Sequence, residues 1–389
     1  MIKKITILLL VLLLSGTSGV LALEQSNTLG ELTDQIYEKY DIGNLEQIYD
    51  SAGLEKYLHY TSVKDFIAAL VKGELEFSLD TILEGVKSIF FQEISLSLSL
   101  LAQIIFLSIL AAVLNNISSS FGESQVGNIA FYVIYFVLIG LAASSFRSSI
   151  SLASSTIDEM VSGIQAIIPA LILLLASVGA IASSAVLSPV IVYVVTFVGT
   201  TINNVIYPLI LASAVITLID HLSKEVKLSN LAKLLKDIAL YILGFLFILF
   251  LGVVSIQGFA MTTLDGVSSK TAKYAIDNFV PFVGGFLADS MDTIASAANV
   301  IKNGVGIVGL LIIVGIIAFP IMKMFVLSLM FKASAAIIQP ISDERIVKCL
   351  TEIGTYIMLI LSCLLVVAVM FFLMISIIIL LGDMTVMYR

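Results

Sequence analysis

The 389-residue chain is 59% hydrophobic and 12% charged, with a mean hydropathy of +1.10 and a net charge of −8. A soluble domain carries about a quarter charged residues, so this composition excludes a soluble fold and predicts an all-α, polytopic membrane protein. The acidity sits in residues 23–90, where thirteen Asp and Glu meet five Lys; that segment offers no basic patch to nucleic acid, and its expected partners are proteins.

The N-terminus reads as a signal peptide over residues 1–22: Lys3 and Lys4 precede the apolar core Ile5–Leu14, and Val20-Leu21-Ala22 fits a cleavage site. Residues 23–90 follow as an exported acidic segment of short amphipathic helices, with Leu45, Ile48, Tyr49 and then Leu79, Ile82, Leu83, Val86 at helical spacing. Apolar runs at 96–114, 129–146, 238–260, 305–331 and 356–381 are near or above the roughly 18 residues that cross a bilayer.

Lysine asymmetry orients these spans. Residues 220–236 hold Lys224, Lys227, Lys233 and Lys236, and residues 332–350 hold Lys332, Arg345 and Lys348, so both read as cytoplasmic. Residues 263–303 carry Asp265, Asp277, Asp289 and Asp292 and read as external, as do residues 147–165 and the C-terminus. An odd number of crossings must then connect 147–165 to 220–236, although the apolar stretch 166–219 is long enough for two.

An internal repeat resolves this. Pro169 and Pro208 recur 112 residues later as Pro281 and Pro320, and Asp237, Ile238 and Tyr241 recur 115 residues later as Glu352, Ile353 and Tyr356. Residues 166–187 thereby match a polar stretch within 278–299, and both are expected to be re-entrant or interfacial. The expected architecture is about six transmembrane helices in three hairpins: 91–146, then 147–262 as repeat copy one and 263–389 as copy two, each copy a re-entrant segment plus a hairpin.

Few residues carry chemistry. Gly304-Val305-Gly306-Ile307-Val308-Gly309 matches the dinucleotide-binding pattern, but it opens an apolar helix, where small residues serve close helix packing instead. His59 and His221 are isolated, and Cys349 and Cys363 read as residues of an apolar helix. The intramembrane polar groups are the candidate structural or pore-related residues. Asn203 and Asn204 stand one turn before Pro208, placed to bond the carbonyl that proline frees, with a polar pore lining as the alternative. Lys323, three residues after Pro320, is expected to snorkel to the cytoplasmic face. Asp289 and Asp292 share a helix face with Ser296 and either line a water-filled vestibule or meet solvent. No mid-membrane Asp or Glu is expected. Neither a nucleophile–base pair nor a metal-ligand cluster is evident, so no catalytic, cofactor-binding or metal residue is assigned.

The runs Lys270-Thr271-Ala272-Lys273, Asn278-Phe279-Val280-Pro281, Asp289–Thr293 and Lys302-Asn303-Gly304-Val305-Gly306, with Gln339-Pro340, Lys348-Cys349-Leu350 and Leu251–Gly258, resemble the stage III sporulation protein AE family of endospore-forming bacteria. The resemblance covers most of residues 91–389. It implies a protein of the mother-cell membrane around the forespore, in a multi-protein channel or secretion-like complex whose partners are the other products of its operon and a forespore membrane protein across the intermembrane space. It further implies a need for that complex in late forespore gene expression, and no catalytic residues. The repeats and the helix interrupted at Pro208 also fit a secondary permease for a small solute, the alternative reading.

The topology makes a direct prediction. With Cys349 and Cys363 removed, a single cysteine at Leu228 should resist a membrane-impermeant thiol reagent applied to intact cells; labelling there would reverse the assignment of sides.

Overall fold

The computed structural model describes residues 79–120, 125–222, 227–279 and 284–387, together with Ser62, Asp65 and Ala69. The signal peptide, most of the exported segment, His59 and Pro281 lie outside these residues. All described elements are helices: α1 (Leu79–Ser120), α2 (Gln125–Ser177), α3 (Ile181–Thr201), a π-helical turn (Ile202–Ile206), α4 (Tyr207–Leu222), α5 (Ser229–Phe279), α6 (Gly284–Ile338) and α7 (Glu344–Met387). α3, the π turn and α4 follow one another without a gap, so the described residues form six rods.

Long uninterrupted helices follow from the apolar runs, because in hydrocarbon a helix satisfies every backbone N–H and C=O within its own segment. Six stretches among the described residues are long and apolar enough to cross a bilayer: Glu84–Leu114, Tyr132–Ser177, Ser183–His221, Ser229–Gln257, Ala298–Ile338 and Glu344–Asp383. The number matches the expected six crossings, but the rods differ from expectation in length. α2 has 53 residues and α6 has 55, on the order of 80 Å each at 1.5 Å per residue, against a hydrocarbon core of about 30 Å.

The helix boundaries cut across the expected segments. Residues 166–187 are not a separate segment: they are the end of α2, a turn, and the start of α3. The turn is closed by Gly179 at φ 99°, a left-handed conformation that glycine adopts without strain. Pro169 lies inside α2, so it does not divide the helix. The second expected segment, 281–300, is likewise continuous with the apolar part of α6 from Gly284 onward. The stretch 147–165, read as external, lies in the middle of α2. α2 is more than twice as long as a bilayer is thick, so its polar middle is helix and not a loop. Asp265, in the stretch read as external, is buried within α5, where its carboxylate accepts a hydrogen bond from the Ser183 N–H at 3.2 Å. That N–H is in the first turn of α3, where backbone donors have no partner within the helix.

Contacts fix the directions of the rods. Gln165–Thr196 and Asp158–Asn203 set α2 antiparallel to α3. Ser183–Asp265 and Ser213–Ala232 do the same for the α3–α4 rod and α5. Lys302–Ile379 and Ser328–Gly354 do so for α6 and α7. α7 occupies the middle of the bundle: it packs most extensively on α6 and also meets α2, α5 and α4. Ile357, Ile360, Cys363, Leu364, Val367, Met370 and Phe371 along it are fully enclosed. α1 packs on α2 and α6 and leaves Phe91, Leu96 and Phe106 exposed.

Tyr356 joins four rods. Its hydroxyl lies 2.7 Å from Ser213 Oγ and 2.8 Å from Thr217 Oγ1 on α4, its ring meets Phe146 of α2 edge-on, and Lys236 of α5 sits 6.0 Å over that ring. Ser213 Oγ also donates to the Ala232 carbonyl on α5. α5 and α7 begin at Ser229 and Glu344, 115 residues apart, the offset read from the sequence. The matched tyrosines nevertheless differ in setting: Tyr356 is 4% exposed and Tyr241 is 74% exposed.

Tyr356→Phe keeps the ring contacts and removes one hydrogen bond each from buried Ser213 and half-buried Thr217, which retain the Ala232 and Ser213 carbonyls as partners, so it should destabilise the bundle by about 0.5–1.5 kcal/mol, read as a lowered Tm in detergent. Tyr241→Phe should leave Tm unchanged.

Candidate functional site

Two groups of polar side chains interrupt the apolar bundle. The first locks α6 to α7. Gly306 and Gly309 face α7, and a Cβ at Gly306 would overlap Ile379 Cγ1 and Cδ1. A Cβ at Gly309 would stand 3.3 Å from Ile167 of α2 and 3.4 Å from Ile375 of α7. The Gly-x-Gly-x-x-Gly run therefore serves close helix approach, as its place in an apolar helix indicates.

One turn before Gly306, Lys302 is wholly buried and donates to the Ile379 carbonyl at 2.6 Å. Its ammonium also lies 3.6 Å from the Asp383 carboxylate. Asn299 and Asn303 donate to the same carboxylate oxygen at 2.8 and 3.0 Å. Gly382 makes room for the lysine, since a Cβ there would collide with Nζ. A buried ammonium with a carbonyl and a carboxylate for partners is a tolerable charge in a dry bundle.

The second group lies on the outer seam between α2 and α3. Asn203 Nδ2 donates to Asp158 Oδ1 at 2.9 Å, and Gln165 Nε2 donates to Thr196 Oγ1 at 3.1 Å. Gly199 lets α2 approach, with Val161 Cγ2 and Ile157 Cγ2 at 3.0 and 3.4 Å from where its Cβ would be. Asp158, Ser162, Thr200 and Asn204 are exposed along this seam, and Glu159 is exposed on the outer face of α2. Asp158 and Glu159 stand in the middle of the apolar stretch Tyr132–Ser177, which is longer than a bilayer is thick.

The role expected of Asn203 and Asn204 changes as well. Pro208 has no N–H, and its ring crowds the carbonyl four residues earlier. The backbone answers this with the π turn, in which the Tyr207 N–H reaches back five residues to the Ile202 carbonyl. The asparagine amides are not needed for that repair, so Asn203 reaches across to α2 and Asn204 is exposed. α6 runs on as α-helix through Pro320, so the paired prolines differ in local backbone.

The remaining candidates stay apart from both groups. Lys323 is half-buried, with Nζ 5.5 Å over the Phe319 ring on its own helix. Asp289 and Asp292 fall near the start of α6, and their side chains lie outside those described. His221 borders a charged recess with Asp220, Asp343, Glu344, Arg345 and Lys348 at the end of the bundle where α5 and α7 begin. Its ions pair locally, Arg345 with Asp343 at 3.1 Å and Lys348 with Glu344 at 2.7 Å, while Asp220 accepts the Leu228 and Ser229 N–H groups.

Sequence reading singled out Asn203 and Pro208 and passed over Lys302, Asp158, Glu159 and Asp383. Each omission had a signal. A charge inside or at the end of a long apolar span is costly and needs a partner, and Lys302 stands two residues before the glycine run.

The family model for stage III sporulation protein AE matches residues 61–382. Stage III sporulation protein AE of Bacillus subtilis (strain 168) is 36% identical over 328 residues, covering 84% of this chain and 82% of that protein. This chain belongs to the stage III sporulation protein AE family. The matched region takes in all six rods but the last residues of α7, and both polar groups but Asp383, and it supports a role in sporulation. No solved structure matches.

The lock can be tested by size and by charge. Gly306→Ala should force α6 and α7 apart and lower Tm, because the colliding atoms belong to a half-buried, β-branched isoleucine on a packed helix. Lys302→Ala should cost about 3–5 kcal/mol, as in other buried charge pairs cut on one side, less whatever solvent returns to the partly exposed Asp383. Stability close to wild type in both variants, measured by thermal unfolding in detergent, would rule out the lock.

Proposed function

We propose that this chain is a non-enzymatic, multi-pass subunit of a trans-envelope channel or secretion-like complex that links mother cell and forespore and supports late forespore gene expression. The observation that carries this reading is the filled centre of the bundle. α7 lies there with its side chains enclosed, so one copy has no room for a central conduit, while α1, α3 and α5 present broad apolar faces to lipid or neighbouring subunits. A subunit that works within a larger assembly fits this form better than a permease acting alone.

In this reading the protein resides in the mother-cell membrane around the forespore. The exported segment and the C-terminus lie on the non-cytoplasmic side, reaching the other products of the operon and a forespore membrane protein. The 115-residue spacing of the starts of α5 and α7 supports an origin by duplication. The divergent settings of Tyr241 and Tyr356 fit copies that have since specialised.

Purification from sporulating cells tests the reading. A tagged chain should co-purify with other envelope proteins of the sporulation stage, and its deletion should arrest late forespore gene expression. If the purified chain alone transports a small solute into liposomes and co-purifies with none of them, the permease reading replaces this one.

A further inference from the structure

The α2–α3 seam lies at a depth where lipid is expected, yet it and the outer face of α2 beside it expose a run of polar residues. Depth follows from register. Ser213 meets Ala232 and Ser183 meets Asp265, so the α3–α4 rod and α5 run antiparallel with level residues summing to 445 at one contact and 448 at the other. Asn203 is therefore level with about residues 242–245, the midpoint of the 29-residue span Ser229–Gln257. Any hydrocarbon slab of about 20 residues laid within that span includes this level. Asp158 shares it through its bond to Asn203.

At this depth the two outer faces of the bundle differ. On α5, Tyr241, Phe245 and Ile248 are exposed by 74%, 63% and 68%. That face suits lipid. On the α2–α3 side the exposed polar side chains are Asp158, Ser162, Thr200 and Asn204, with Phe197 exposed beside them on α3, and Glu159 is exposed on the outer face of α2. A carboxylate facing acyl chains is among the costliest arrangements in a bilayer, and two adjacent ones are worse.

We infer that the α2–α3 seam lines a water-filled, anionic lumen enclosed by several copies of this chain. The inference takes its setting from the channel reading above and assigns the conduit wall to this subunit. The lumen cannot lie within one copy, because α7 fills the bundle axis. It must be bounded all round by polar faces, and other copies supply the same face at the same depth, since all insert in one orientation. A dry contact between copies is disfavoured: each residue would meet its own counterpart, setting Asp158 and Glu159 against Asp158 and Glu159. Water between the copies relieves that repulsion, and a ring of carboxylates then favours cations over anions.

The π turn belongs to this wall. It rotates the helix so that Asn203 reaches Asp158 while Asn204 faces outward, and it leaves backbone on the hydrated side, where irregular helical backbone is tolerated.

The test uses the full chain in membranes from sporulating cells. Ser162→Cys and Thr200→Cys, both exposed positions on the seam, are compared with Ile248→Cys at the same depth on α5; native Cys349 and Cys363 are buried. Both seam cysteines should react with a cationic, water-soluble methanethiosulfonate at least about 10-fold faster than Ile248→Cys, and faster than with an anionic analogue. Glu159→Gln in the same chain should reduce the preference for the cationic reagent. A water-soluble bismaleimide should join Ser162→Cys of one copy to that of another. If both seam cysteines are as unreactive as Ile248→Cys, the hydrated lumen is refuted, even where the chain co-purifies with its envelope partners. Cross-linking to a different polypeptide instead of a second copy overturns the assignment of the wall. If labelling and self-cross-linking succeed but no envelope partner co-purifies, the channel reading fails separately.

Discussion

The close approach of α6 and α7 sets the geometry of the bundle. Without a hydrophobic drive between helices in lipid, their association depends on van der Waals fit and on polar contacts made across the seam. Glycines supply the fit at both ends. Gly306 and Gly382 admit Ile379 and Lys302, and at the other end a Cβ on Gly354 would fall 2.9 Å from the Ser328 carbonyl oxygen. Ser328 Oγ adds a hydrogen bond to the Gly354 carbonyl at 2.6 Å. With α7 held this closely, its opposite face is free to receive α2, α4 and α5, and Tyr356 can bond two hydroxyls on α4 while stacking edge-on with Phe146.

Burying α7 decides where a conduit can be. A bundle whose middle helix is enclosed by apolar side chains has no axial channel, so water can pass only along its outside. The outer surface has two characters at one depth. α5 is aromatic and aliphatic, and the α2–α3 seam carries carboxylates and amides. The difference arises in the sequence of α2, where Ser, Asp, Glu and Gln recur between residues 148 and 165 inside a helix whose two ends are apolar.

The prolines show how equal sequence marks lead to unequal structure. Pro208 and Pro320 both sit within long helices, but only the first is preceded by a π turn among the described residues. Ahead of Pro208, the extra residue of the turn widens the helix beside Gly199, where α2 approaches, and Asn203 finds a partner in Asp158. Pro320 has no asparagine in the turn before it. The same covalent constraint was thus resolved differently as each neighbourhood required.

By itself the sequence determined the membrane class, the helical content and the number of long apolar rods, because these depend on local composition and on the need of a backbone in lipid to bond itself. It also marked the glycine run as a packing element, since only small side chains let helices meet that closely. Helix length was not legible: the residues of α2 from 147 to 165 are polar enough to read as a loop, and only packing against α3 and α7 shows them to be helix. The partners of Lys302, the burial of Asp265 and the opposite settings of Tyr241 and Tyr356 belong to the same class. Each depends on which faces meet across tens of residues, and helical periodicity carries no information about which neighbour a face will find; the tertiary structure decided that, by the fit of glycine gaps to side chains and of buried charges to partners.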